Sequence, residues 1–346
     1  MRDFPFPLRT RLSAALCACT LAIGLPVLAQ DETEPMEAAS TPIETTGDPL
    51  KPRASEMMPR TAKSLLLDVV NTGARVVAVG DRGSIVVSSN GVDWAQVEVP
   101  VRATLTGVSF ADENNGWAVG HDATILNTRD GGRTWQMQNF EPELEKPFLD
   151  VMFLDASTGY ALGAYGLFYK TTDGGATWAQ DENALPITEN EGHLNAIVQL
   201  GDGSLFVAGE AGLLAATRPD GSWEVLPSPY EGSLFSALPI GEKGALITGL
   251  RGNAFRSEDV RSGQWTPVET STLQSLMKST ELRDGRIAMV GVNGVVLIMD
   301  DAGSISRVNV RQDTGMTSSG SFSGVINWNG GILAVGESGA MTIAVR

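Results

Sequence analysis

The chain has 346 residues and a formal net charge of −16, with 42% hydrophobic and 19% charged residues, the balance of a folded globular protein. That acidity excludes nucleic acid as a partner, because phosphate binding needs concentrated positive charge. Both cysteines, Cys17 and Cys19, lie in an apolar N-terminal stretch. The rest of the chain is therefore excluded from disulfide, thiol-nucleophile and thiolate-metal chemistry.

Residues 1–29 have the pattern of a cleavable signal peptide. Arg2, Arg9 and Arg11 precede an apolar run from Leu12, and Val27-Leu28-Ala29 supplies the small residues of a cleavage site. The expected location is the periplasm. Retention of the leader as a membrane anchor is one alternative, and a lipoprotein box ending at Cys19 ("LCAC") is another. Residues 30–52, rich in Glu, Pro and Thr, are expected to be a disordered acidic linker. No later segment approaches 18 consecutive apolar residues, so the processed protein is expected to be soluble and monomeric, not itself transmembrane.

From residue 53 onward a repeat governs the chain. "VAVGDRG", "WAVGHDA", "ALGAYG", "VAGEAG", "ITGLRG", "MVGVNG" and "AVGESG" share one template, with first glycines at Gly80, Gly120, Gly163, Gly209, Gly249, Gly291 and Gly336. The steps between them are 40, 43, 46, 40, 42 and 45 residues. In each copy an apolar segment leads into a polar turn, and a buried-looking strand then ends at the first glycine. Two residues turn the chain into another apolar run, and a last turn leads to a Trp-bearing strand in the first five copies. Four short strands in each unit of some 40–45 residues predict an all-β, seven-bladed propeller with four-stranded blades. The seventh copy supplies only "SGVINW", "ILAVG" and "AMTIAVR". An unpaired outer edge is an aggregation hazard, so residues 53–64 are expected to donate a strand that closes the ring.

Two copies carry "NTRDGGRTW" and "KTTDGGATW" in their last turn. Asp130 and Asp173 suit a turn whose backbone amides need an acceptor, and Gly131 and Gly174 permit left-handed backbone. Trp135 and Trp178 fit a wedge between neighbouring blades. A calcium loop is the functional rival, but one acid per turn falls short of the oxygens calcium needs, and no metal or other cofactor is expected. Alternating strand direction puts these turns on one face of the ring and the glycine-flanked turns on the other.

These strings closely resemble the Asp boxes of the bacterial neuraminidase repeat. Beyond the box, "VSFADENNGWAVGHDATILNTRDGGRTW" and "VMFLDASTGYALGAYGLFYKTTDGGATW" closely resemble the repeat of the photosystem II stability and assembly factor family. The resemblance covers roughly residues 65–346. It implies a propeller that binds a protein partner during assembly of a membrane complex, with no catalytic residues of its own.

Sialidases share the Asp box, so a glycan-binding or sialidase-like hydrolase is the competing reading. Their chemistry resembles a tyrosine nucleophile tuned by a glutamate, with three arginines on the substrate carboxylate. Tyr160 and Tyr169 read as packing residues, and neither Tyr165 nor Tyr230 has a glutamate that the sequence can place beside it. His121 and His193 lack a third metal ligand. On the glycine-turn face the candidate partner-binding residues are Arg82, His121, Tyr165 and Arg251, taken as occupying corresponding turn positions, with Arg102 and Arg311 in loops opening on the same side. The alternative is that these are ordinary surface groups.

Overall fold

The computed structural model describes residues 48, 50–310 and 320–345, so the leader and most of the acidic linker lie outside the described residues. Seven antiparallel sheets follow one another along the chain, each with its strands in sequence order, and the protein is an all-β, seven-bladed propeller. The innermost strands are Leu66–Asn71, Leu105–Phe110, Phe148–Phe153, Leu194–Gln199, Leu234–Ile240, Leu276–Glu281 and Phe322–Trp328. Each lies beside the next around the ring, and the seventh returns to the first.

The second strand of every blade is buried throughout, as in Val76–Gly80, Gly116–Gly120 and Ile287–Gly291. Neighbouring blades cover both of its faces, which is why these segments read as unbroken apolar runs rather than alternating ones. The core is consequently a series of clusters between blades. Val77, Val79 and Ile85 of the first blade pack with Leu105, Val108, Leu126 and Trp135 of the second. Leu66, Val76 and Val86 pack with Leu333, Val335 and Ala340 of the seventh, which closes the ring. Each such Val, Leu or Ile side chain contributes about 1.5–3 kcal/mol relative to exposure.

The paired glycines that betray the repeat are required by close approach. A Cβ on Gly80 would lie 2.2 Å from the carbonyl oxygen of Leu65, at the entry to the blade's own innermost strand. A Cβ on Gly83 would lie 2.1 Å from the carbonyl oxygen of Val101, where the chain crosses to the next blade, and Gly83 also has a left-handed φ of 69°.

Among the described residues six of the blades have four strands, and the seventh has three. The expected closing strand is not formed, because residues 53–64 contain no strand and end in a 3-10 turn at Thr61–Lys63. This segment instead takes the place of an inter-blade crossing. A Cβ on Gly339 of the seventh blade would lie 2.0 Å from the carbonyl oxygen of Ala62, the relation that Val101 has to Gly83. Upstream, Ser55 exchanges hydrogen bonds with Val99: its amide donates to the Val99 carbonyl at 2.9 Å, and its hydroxyl accepts from the Val99 amide at 3.0 Å. The chain thus enters the ring by running along the outer edge of the first blade.

Candidate functional site

The glycine-flanked turns and the crossings between blades share one face. In six blades the turn holds a non-glycine residue in left-handed backbone: Arg82, Asp122, Tyr165, Ala211, Arg251 and Asn293, with φ between 52° and 58°. Such a conformation is costly for residues with a Cβ, and here it leaves five of the six exposed, Asp122 being half-buried. Arg82, Tyr165 and Arg251 are therefore equivalent positions and all are exposed. His121 is not their counterpart. Asp122 holds the equivalent left-handed position in the second blade, and His121 precedes it by one residue, also exposed.

The surroundings of these groups differ. Arg82 has its Nε 3.8 Å from Asp81 and a guanidinium nitrogen 3.9 Å from the Met58 sulfur. Arg102, in the first crossing, is ion-paired with Glu56. Among the described residues no carboxylate pairs with Arg251, which borders a shallow cleft of about 350 Å³ lined by Phe255, Pro267, Thr270 and Leu273. Leu273 is 83% exposed there, so an apolar group sits near an unpaired cation. The Tyr165 ring meets His193 edge-on at 4.9 Å, and the His193 amide donates to Glu210 of the fourth blade at 3.1 Å. Arg311 lies outside the described residues.

The Asp-box turns lie on the other face. Asp130 accepts from the amides of Arg133 and Thr134, both at 2.9 Å, and from the hydroxyls of Thr128 and Thr134 at 2.8 and 2.7 Å. Burial pulls its pKa upward, but the bonds from Thr134, Thr128 and Arg133 outweigh it and hold the carboxyl at about 2. Asp173 repeats this with Thr171 and Thr177. The amides of Gly131 and Gly174 donate to the carbonyls of Asn114 and Ser157 in the neighbouring hairpin turns. Trp135 and Trp178 pack between blades, the former against the first blade and the latter against the second, its indole N–H donating to Gln138 at 3.3 Å.

Replacing Asp130 with Ala is expected to cost about 1–2 kcal/mol at pH 7, because several turn amides and hydroxyls lose one common acceptor. The folded pKa lies below the unfolded one, so this contribution exists above the unfolded carboxyl range and vanishes as the pH falls through about 2. Urea titrations at pH 7 and pH 2.5 should show the gap between wild type and Asp130→Ala narrowing in acid. A gap that stays constant would mean that the cost is steric.

A third arrangement, which sequence reasoning missed, lies in the central channel. The third residue of the innermost strands forms one layer around it: Asp68, Gly107, Asp150, Ala196, Ser236, Lys278 and Gly324. Each follows a bulge or shift in register. The carboxylates staple neighbouring blades, Asp68 accepting from the Val108 amide at 3.1 Å and Asp150 from that of Ile197 at 3.0 Å. Lys278 reaches Asp68 at 3.5 Å, past the seventh blade, where Gly324 supplies no side chain. Burial raises the pKa of Asp150, with Lys278 opposing and Asp68 adding to the shift. That of Lys278 is raised by Asp68 against the cost of burial, so it stays charged. The available signal was a lone Asp or Lys at one register position of otherwise apolar strands, as in "LLDVV", "FLDVM" and "LMKST".

Fold and turn chemistry together define a seven-bladed Asp-box propeller. A sequence model of the photosynthesis system II assembly factor YCF48 matches residues 86–146 and 138–305, and the chain belongs to that family. It is 32% identical over 212 residues to the photosystem II assembly protein Ycf48 of Thermosynechococcus vestitus, covering 60% of this chain and 59% of that protein. It is 31% identical over 218 residues to the photosystem II assembly lipoprotein Ycf48 of Parasynechococcus marenigrum, covering 61% of this chain and 63% of that one. The matched region thus spans less than two thirds of either relative. A solved structure described as YCF48 bound to D1 peptide superposes with a TM-score of 0.64 at 17% identity, over 85% of this chain and 97% of that one. Among the described residues no helix is long and apolar enough to cross a membrane.

Proposed function

We propose that this protein is a non-enzymatic, exported binding scaffold that assists assembly or stability of a membrane protein complex. It engages an acidic or carboxylate-bearing segment of a membrane protein with its glycine-turn face. The observation that carries this reading is membership of a family of assembly factors whose solved structures include one with a peptide of D1 bound. On this chain the matching chemistry is Arg82 and Arg251, held out from equivalent turns of a protein with a net charge of −16. Cations on an otherwise acidic body give approach a direction, and arginine is among the residue types that most often dominate interfaces. Export rests on the leader-like residues 1–29 and on relatives that are named lipoproteins.

The hydrolase alternative fares worse on chemistry. Tyr169 does donate to a glutamate, Glu141, at 3.3 Å, the pairing a tyrosine nucleophile would use. Yet burial, the Glu141 charge and this bond all raise its pKa, away from the phenolate that attack requires.

Fluorescence anisotropy with a labelled D1 peptide, together with capture from solubilised membranes by the leader-free protein, tests the proposal. Saturable peptide binding and a specific membrane complex on the bait are expected. Turnover of a sialoside by the pure protein, or the absence of both binding events, would overturn it.

A further inference from the structure

We infer that residues 55–58 form an internal competitor for the binding face, with the Glu56 carboxylate occupying Arg102 in place of a partner's carboxylate. The inference rests on the reading of the glycine-turn face given above. Glu56 is ion-paired with Arg102, and both side chains are about half exposed, at 52% and 41%. Two residues on, Met58 places its sulfur 3.9 Å from the guanidinium of Arg82. One short segment therefore touches two of the cations on that face and leaves Arg251 open.

The segment is fastened on both sides of Glu56. Ser55 is buried and bonded to Val99. Gln96 donates to the Glu56 carbonyl at 2.8 Å and accepts from the Met58 amide at 2.7 Å and the Thr61 hydroxyl at 2.6 Å. A tethered carboxylate meets Arg102 at a high effective concentration, so an incoming acid has to displace it rather than find the arginine free. Displacement needs no unfolding, because Glu56 itself contributes only its carbonyl to the fastening. An exposed ion pair is weak, which makes the contact a threshold that a multidentate partner overcomes and an isolated carboxylate does not.

Fluorescein-labelled octaglutamate, titrated by anisotropy against the leader-free protein, tests this. Glu56→Gln should tighten binding about two- to five-fold, the range an exposed ion pair allows. Glu258→Gln is the control, removing one negative charge beside Arg256 on the opposite face. It should change affinity by less than about 1.5-fold, since a charge that far away is largely screened. In an Arg102→Gln background Glu56→Gln should tighten nothing, because the competitor has lost its target. Equal tightening by both single variants would reduce the effect to bulk charge and sink the inference. Wild-type binding that Glu56→Gln leaves unchanged or weakens would sink it too, while the binding face stands. If neither wild type nor Glu56→Gln binds the probe, the inference and the assigned face fall together.

Discussion

Reversing Arg82 and Arg251 together to Glu is expected to weaken partner binding by about 100-fold or more while leaving the melting temperature within a few degrees. Each reversal replaces an attraction with a repulsion at an exposed turn position, and neither side chain packs into the core. The two residues lie on the first and fifth blades, so a partner touching both must span the channel mouth, and losses at the two ends compound. Arg129 and Arg133 provide the control on the Asp-box face. They carry the same charge, and both are exposed, with Arg133 donating to the Asp130 carbonyl at 3.0 Å. Their double reversal shifts the net charge by the same four units and should lower affinity only a few-fold, with some loss of turn stability. Equal losses from the two double variants would mean that net charge governs binding and that the face is misassigned.

The number of blades was legible because each first glycine marks a place where no Cβ fits, so the spacing of Gly80 to Gly336 records the spacing of blades directly. The closing segment was misread for a related reason. The short seventh copy implies a missing strand, but residues 53–64 are held by Val99, Gln96 and the space over Gly339, contacts that no local pattern announces. His121 was misaligned because the second blade's turn is Gly-His-Asp-Ala, and with Ala123 in place of the second glycine the left-handed position is not self-evident. The pairing of Arg102 with Glu56 and the meeting of Lys278 with Asp68 depend on the ring bringing distant segments together. Sequence periodicity carries the repeat but not which residues meet across it.

Lys278→Met is expected to be among the most destabilising single changes, at about 2–4 kcal/mol near pH 7.5. The lysine is the one cation in a channel layer that also holds Asp68, whose side chain is 8% exposed, and the half-buried Asp150. Removing it leaves two carboxylates facing one another with no compensating charge, and an unpaired buried charge costs more than the pair contributed. The figure stays at the lower end of what a dry site would give, because 34% of the Lys278 side chain is still reached by channel water. The pH dependence separates this cause from lost packing. Asp150 already has a raised pKa, and loss of Lys278 removes the group that opposes the rise. A carboxyl whose folded pKa exceeds its unfolded value contributes stability below the unfolded range, about 4, and loses it as the pH rises through the folded value. The deficit of Lys278→Met should therefore shrink between pH 7.5 and pH 4.5, measured by urea unfolding. Adding Asp68→Asn should recover much of the loss, since the amide oxygen can still accept from Val108 while one buried charge disappears. A deficit independent of pH, with the two substitutions simply additive, would show that Lys278 acts as a spacer and that the charges in the channel do not hold the ring closed.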